Sequence, residues 1–432
     1  MIIMFNLDEE TKKFLGLFEP KTFAHGICHM IGSFANVGVI ETRDGLVVFD
    51  ISTKQFGKRV FKLIREITDK PIKYLIYSHG HFDHCFGYAP FLNEIKQKGF
   101  EMPQIIAHEK LLDRFKKYKM LDDYHNWINS MQFASVAGNQ ERATDSSETL
   151  DPTIIIKDKQ DYMFNLGGYN FELYHDKGET DDSIWMYFPE KQVIFAGDLM
   201  ISSFPNIGNP YKVQRYPKQW ALAMEKMLKK DAKYLVPGHG PLIEGKNKVK
   251  NALTITAEAM NFVHDKVIEK LNEGKWFEQI YHEMLEIYPK KFQDHDYLRP
   301  VYGCYEFGIH AVYRLYHGWY NTGNPTDLFP SKSSDIANEF LKINDPYHYY
   351  EHSKNIFEKG DTQLALHMID ILIKASTKIE LNLLLDAYNL KYKLLKKRAK
   401  EQTSFIAFNI INNGAKEIKE IIKNYKNKGL KN

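Results

Sequence analysis

Cysteine is scarce. Cys28, Cys85 and Cys304 are the three in 432 residues, far apart and odd in number, and none forms a CxxC. That leaves no disulfide framework and fits a reducing compartment. Net charge is also small, at +3, too little to argue for nucleic acid or an anionic membrane as partner. Long apolar runs are missing, and none reaches the length of a membrane span. The opening MIIMFNLDEETKK has no basic residue before its short apolar run, and acids follow at once, so it reads poorly as a signal peptide. The expectation is a cytoplasmic protein.

What is present is ordinary for a globular chain: 44% apolar and 26% charged residues, enough for a sizeable core. The length suits one large domain plus a second, or three small ones. Up to about residue 245, short β-rich runs alternate with helical segments. NVGVIET (36–42) and LVVFDI (46–51) flank Arg43-Asp44-Gly45, a hairpin signal. Phe56, Val60, Leu63 and Ile64 recur at helical spacing within 54–68, and IKYLIYS (72–78) reads as an apolar strand. Further strands are expected at 153–157, 169–175, 184–188 and 192–196. Residues 121–150 are polar and loop-like, a lid over a site or a surface loop. After about 246 the pattern is helical, with Leu253, Met260, Val263, Val267 and Leu271 on one face. Two or more helices follow residue 346, with a turn at Gly360-Asp361, and the basic stretch Lys391–Lys400 reads as a solvated helix face.

The 17 histidines raise a metal question, and YSHGHFDHC (77–85) sharpens it. His79, His81, Asp83 and His84 fall within six positions. In an extended segment alternate residues share a face, so His79 and His81 converge on one ion, while Asp83 and His84 lie beyond a turn. Imidazole with carboxylate suits zinc, iron or manganese better than calcium or magnesium. A dinuclear site needs about three more ligands, and three distant stretches offer them. HDKGETDDS (175–183) is rich in acids beside a glycine. IFAGDLM (194–200) ends an apolar strand on Gly197-Asp198, and VPGHGP (236–241) holds His239 in a stiff turn. Taken alone, Asp198 could be a cap and His239 a turn residue. Cys85 reads as a small buried neighbour of the cluster.

The ordered set HxHxDH, a Gly-containing acid loop, GD and PGHGP resembles the metallo-β-lactamase-fold hydrolases over about residues 20–245. The resemblance implies an α/β fold, an αββα sandwich with two divalent metal ions at one edge of the sheets, Zn2+ or else Fe or Mn. It implies that His79 and His81 bind the first ion, that Asp83, His84 and His239 bind the second, and that Asp198 bridges them. The usual loop reads GHT; here Gly178-Glu179-Thr180 puts Glu179 in the place of the histidine, with His175 and Asp182 as alternatives. A glutamate there resembles the alkylsulfatase branch. RPVYGCYEFGIHAVYRLYHGWYNTGNPTDLFP (299–330) resembles the alkylsulfatase dimerisation domain, and GDTQLALHMIDILIKA and EQTSFIAFNI (401–410) resemble its end. The expected division is a catalytic domain at 1–247 and an all-α helical dimerisation domain at 248–432. Alkylsulfatases carry a further sterol-carrier-like domain, before which this chain stops. Their bridging acid is commonly glutamate, and an arginine expected near Gly208 is absent, while Asn206, Arg215 and Trp220 stay in register.

The activity implied is dinuclear metal-dependent hydrolysis of an alkyl sulfate or similar small anionic ester by a metal-activated hydroxide, oriented by Asp83 and Asp198. Arg215 and Asn206 are the candidates for binding the substrate, because a guanidinium fork matches paired oxyanion oxygens; a surface salt bridge is the competing role for Arg215. The alternative is a hydrolase of the same fold acting on a lactone, thioester or phosphoester. Redox chemistry of the flavodiiron type ranks low, because those proteins carry HxExDH where this chain has His81 and no flavin signature follows 246. The helical half is expected to form a homodimer, its aromatic residues serving either the interface or their own core.

Overall fold

The computed structural model describes residues 9–137, 149–375 and 379–429. Residues 138–148, most of the acidic end of the expected lid, lie outside them. The chain forms two compact units, Met1–Asn129 with Asn139–Asn321, and Ser130–Gly138 with Thr322–Asn432.

Two sheets organise the first unit. One runs in chain order from β1 (Lys21–Phe23) through β2 (Cys28–Ser33), β3 (Ala35–Glu41), β4 (Leu46–Phe49), β5 (Ile72–Ile76) and β6 (Gln104–His108) to β7 (Ile154–Ile156). Its first four strands are antiparallel and the rest parallel, linked by helices. The other runs β8 (Tyr162–Leu166), β9 (Tyr169–His175), β10 (Ile184–Phe188), β11 (Val193–Ile201), β12 (Tyr234–His239) and β13 (Ile243–Glu244), with β11 and β12 parallel. The central strands, such as β2, β4, β10 and β11, are apolar on both sides because both faces are covered. Val47 and Phe49 point into a core shared with Met186 and Phe195 of the second sheet. Their neighbours Leu46 and Val48 face the opposite way, onto Val60 and Ile64 of the helix Gly57–Ile67. Trp185 and Ile194 likewise face the helices Pro217–Leu228 and Lys246–Asn272. The order is therefore helix, sheet, sheet, helix, the αββα sandwich expected.

The helices Lys246–Asn272, Phe277–Ile287 and Tyr305–Tyr316 add Met260, Ile280 and Ile309 to that same core, so the change of pattern at 247/248 falls inside the first unit. The second unit is helical, with Ile369, Leu372, Ala387 and Leu394 at its centre. Its segment Ser130–Gly138 is tied in by the Asn409 side-chain amide, which donates to Gln132 O at 2.8 Å. One expectation fails here. Asp122–Ala137 is an α-helix, not a loop. Its apolar residues follow no clear helical period, but Ile128 and Phe133 are buried, and burial outweighs the weak periodicity.

Candidate metal centre

Every short stretch singled out by its chemistry arrives at one edge of the sandwich. Asp50 follows β4 and His79–His84 follow β5; Glu179 follows β9, Asp198 lies in β11, and His239 ends β12. Two glycines make the convergence possible. Gly197 has φ +52°, where register shifts in the β11–β12 pairing, and so turns Asp198 inward. A Cβ on Gly238 would sit 2.1 Å from Asp198 Oδ1, so VPGHGP needs glycine before its histidine.

The side chains come within ligand distance of one another in sets. His79, His84 and Asp198 form one; Asp83, His84 and His239 a second; His81, Glu179 and Asp198 a third, with one ligand atom per residue all within 4.8 Å. Asp198 Oδ1 is 3.3 Å from His84 Nε2 and 3.4 Å from His239 Nε2, and Asp83 Oδ2 is 3.4 Å from His239 Nε2. Tetrahedral ligands at about 2.0–2.1 Å from an ion stand about 3.3–3.4 Å apart. His79 Nε2 is 2.8 Å from His81 Nδ1 and 3.6 Å from Asp198 Oδ2. Glu179 is buried and ion-paired with Arg215.

Surrounding groups fix which nitrogen faces inward. His84 Nδ1 donates to Asp50 Oδ2 at 2.8 Å, and His239 Nδ1 donates to Phe34 O at 2.9 Å, so each presents Nε2 to the centre. Asp50 also accepts the Ser78 N–H at 2.7 Å. Asp182 accepts the Gly80 N–H at 2.8 Å and an Arg114 bond at 3.2 Å, which steadies the loop between His79 and His81.

Buried carboxylates dominate the electrostatics of the centre. Burial disfavours charge on His84, yet the carboxylates of Asp198, Asp50 and Asp83 outweigh it and raise its pKa well above the usual range. The same contest leaves His239 raised to about 9, against Asp198 and Asp83. Burial would raise Asp198, but His84 and His239 hold it well below the usual range. His79 is lowered to about 4 by burial and by His84. His84 Nε2 and Asp198 Oδ1 are buried without a hydrogen-bond partner, and Glu179 has its ion pair with Arg215 and no hydrogen bond besides. Orphaned donor atoms of these kinds, at these separations, fit divalent cations.

Beside the centre lies a cavity of about 560 Å³, walled in part by His81, Glu179 and Arg215. Lys110, Arg114, Lys117, Lys212 and Arg314 also line it, against the acids Asp113, Glu179 and Asp181. Burial lowers Lys212 to about 8. Arg215 is buried and donates to Asn206 O at 2.9 Å, so it is no surface salt bridge. Asn206 is fully buried and is not among the cavity's lining residues; it meets the site through that carbonyl. Of the alternatives to Glu179, Asp182 bonds to Gly80 and Arg114, and His175 stacks on His108, 3.7 Å away. Sequence reasoning missed Asp50, Arg114 and Lys212. Asp50 carried a faint signal, an acid closing the apolar run LVVF.

Residues 30–239 match the metallo-beta-lactamase superfamily, and residues 277–420 match the alkyl sulfatase dimerisation family. The chain thus joins a metallo-beta-lactamase domain to an alkyl sulfatase dimerisation domain. A linear primary-alkylsulfatase from Pseudomonas sp. (strain ATCC 19151) is 27% identical over 71% of this chain and 60% of its own length. An (R)-specific secondary-alkylsulfatase from Pseudomonas sp. is 22% identical over 91% of this chain and 61% of its own. The solved structure of a stereoselective inverting sec-alkylsulfatase from Pseudomonas sp. superposes with a TM-score of 0.77 at 20% identity, covering 91% of this chain and 64% of that one. The metallo-beta-lactamase and dimerisation regions are shared with these alkylsulfatases, and the chain spans about three fifths of their length.

Proposed function

We propose that this protein is a dinuclear metal-dependent hydrolase of an alkyl sulfate or a similar small anionic ester. The carrying observation is the convergence of His79, His81, Asp83, His84, Glu179, Asp198 and His239 beside a cavity whose wall is rich in lysine and arginine. On this reading His79, His81 and Glu179 would hold one divalent ion, Asp83, His84 and His239 would hold the other, and Asp198 would serve both. Zinc suits the set best, and iron or manganese fits the same donors. Bound there, the two ions would supply an acidified water as nucleophile and a counter-charge for the leaving oxygen.

The chain's own groups do the rest. Asp83 and Asp198 keep ionised carboxylates in a buried site and so accept hydrogen bonds that orient the attacking water. Asp50 and the Phe34 carbonyl lock His84 and His239 in one tautomer. Arg215 and Lys212 offer cations to an ester's anionic head, with Asn206 supporting Arg215 from its backbone oxygen. Holding Lys212 there costs stability, because burial pulls its pKa from 10.5 to about 8; a binding role for anions accounts for its retention.

The division into a catalytic domain at 1–247 and a helical dimerisation domain at 248–432 belongs to this proposal, as does a homodimer. Ile336, Phe340 and Ile343 form an exposed apolar stripe at helical spacing on and just beyond the helix Ser333–Lys342, and Phe329 is 92% exposed. A reducing, cytoplasmic setting fits the three unpaired cysteines. Among the described residues no helix is long and apolar enough to cross a membrane. The test is a substrate panel. Release of inorganic sulfate from medium-chain alkyl sulfates is expected to exceed turnover of lactones, thioesters and phosphomonoesters by at least tenfold. Faster turnover of any of those classes would overturn the assignment of substrate.

A further inference from the structure

A second set of ligand-type side chains meets outside this centre. His108 ends β6, Asp158 stands in the turn after β7, and His175 ends β9, so one sheet supplies two of them and the other sheet the third. The two imidazoles stack, centroids 3.7 Å apart and planes at 14°. Their Nε2 atoms reach the same oxygen, Asp158 Oδ1, at 3.3 Å from His108 and 3.2 Å from His175. Charge-assisted hydrogen bonds are shorter, about 2.7–2.9 Å. The edge of a tetrahedron around an ion held at about 2.0–2.1 Å is about 3.3–3.4 Å, which matches.

The protonation state of His175 points the same way. His175 Nδ1 lies 3.1 Å from Ser183 O, and a carbonyl only accepts, so that nitrogen carries the ring's proton. The neutral ring then turns the lone pair of Nε2 toward a carboxylate oxygen, an arrangement that repels unless a cation lies between. A second proton on His175 Nε2 would serve, but burial lowers the His175 pKa and so resists it. His108 Nε2 is buried and has no hydrogen-bond partner. The Lys110 ammonium is 3.7 Å from the same Asp158 oxygen and 3.8 Å from Asp181, too far to bond either tightly. One contact opposes the site. Lys110 N–H donates to His108 Nδ1 at 3.3 Å, and a ligand role for Nε2 moves the ring proton to Nδ1 and gives up that long bond.

We propose that His108, Asp158 and His175 form a separate mononuclear site for a divalent cation of the zinc type. Asp158 is half exposed, so solvent completes the coordination. Bound there, the ion pins the end of β9 to the β6–β7 edge of the other sheet. His175 stands four residues before Glu179, so the site fixes the start of the loop that delivers Glu179 to the main centre.

The test uses the full chain as wild type, Asp158→Asn and His175→Gln, each dialysed against one zinc buffer, with metal counted by mass spectrometry and folding checked by circular dichroism. Asp158→Asn is isosteric at a half-exposed position, so it keeps the fold even if His175→Gln does not. Each folded variant is expected to hold one zinc per chain fewer than wild type, whatever number the main centre holds. Equal zinc in wild type and Asp158→Asn overturns the proposal.

Discussion

Asp50→Asn isolates the geometric argument for the centre. Asp50 is fully buried, is not among the residues lining the cavity, and sits at φ +63°, a conformation asparagine tolerates well. Its two oxygens have separate tasks: one accepts the Ser78 N–H at 2.7 Å, the other accepts from His84 Nδ1 at 2.8 Å. In the variant the Ser78 N–H still needs an acceptor, so the amide oxygen stays there and the NH2 turns to His84. The histidine must then accept at Nδ1 and carry its proton on Nε2, the atom that stands 3.3 Å from Asp198 Oδ1. A proton in that place blocks a ligand bond. Loss of a partner of this kind weakens metal affinity about 10- to 100-fold, or about 1.4–2.8 kcal/mol. Competition against a chromophoric zinc chelator reads this directly, with hydrolysis measured on the same samples. Zinc affinity within twofold of wild type would refute the view that Asp50 sets the His84 tautomer for a metal.

Other outcomes follow from the same geometry. Gly238→Ala drives a Cβ into Asp198 Oδ1, so it is expected to lose at least half of the metal bound at the main centre, read by elemental analysis. Lys212, lowered to about 8, loses its charge as pH rises through that value, so KM for an anionic ester should climb above about pH 8 while Lys212→Met is high and flat across the same range. The sign for stability runs opposite. The unfolded lysine keeps its proton up to about 10.5, so between about 8 and 10.5 the folded chain binds fewer protons and this group favours folding more as pH rises. Thermal unfolding of wild type against Lys212→Met checks that direction. Ile336→Glu with Ile343→Glu should convert a dimer to a monomer in sedimentation without loss of helix content, because both side chains are exposed within the chain.

Much of this arrangement was legible in the sequence because motif order and apolar alternation are local signals. Strands expected at 169–175 and 184–188 match Tyr169–His175 and Ile184–Phe188 residue for residue. The strand expected at 192–196 runs on to Ile201, since the bulge at Gly197 bends the strand rather than ending it. β6 and β8 were passed over. QIIAH is too short to show a period, and β8 is partly exposed on both faces, so its pattern is weak. The helix Asp122–Ala137 escaped for the same reason. The metal-type side chains were found because histidine clusters are rare. Asp50, Arg114 and Lys212 were not, because a lone acid or base gains meaning only when folding sets it against a partner: His84 for Asp50, Asp182 for Arg114, the cavity wall for Lys212. The His108–Asp158–His175 set is spread over 68 positions, on two strands and a turn, with no spacing to betray it.

The most direct test is sulfate released from a medium-chain alkyl sulfate by the full chain, measured before chelation, after chelation and after zinc is restored, alongside His84→Ala. The account predicts release that chelation abolishes and zinc restores, and at least a thousandfold lower release from His84→Ala. Release that survives complete removal of metal, or no release from zinc-loaded wild type, would contradict it.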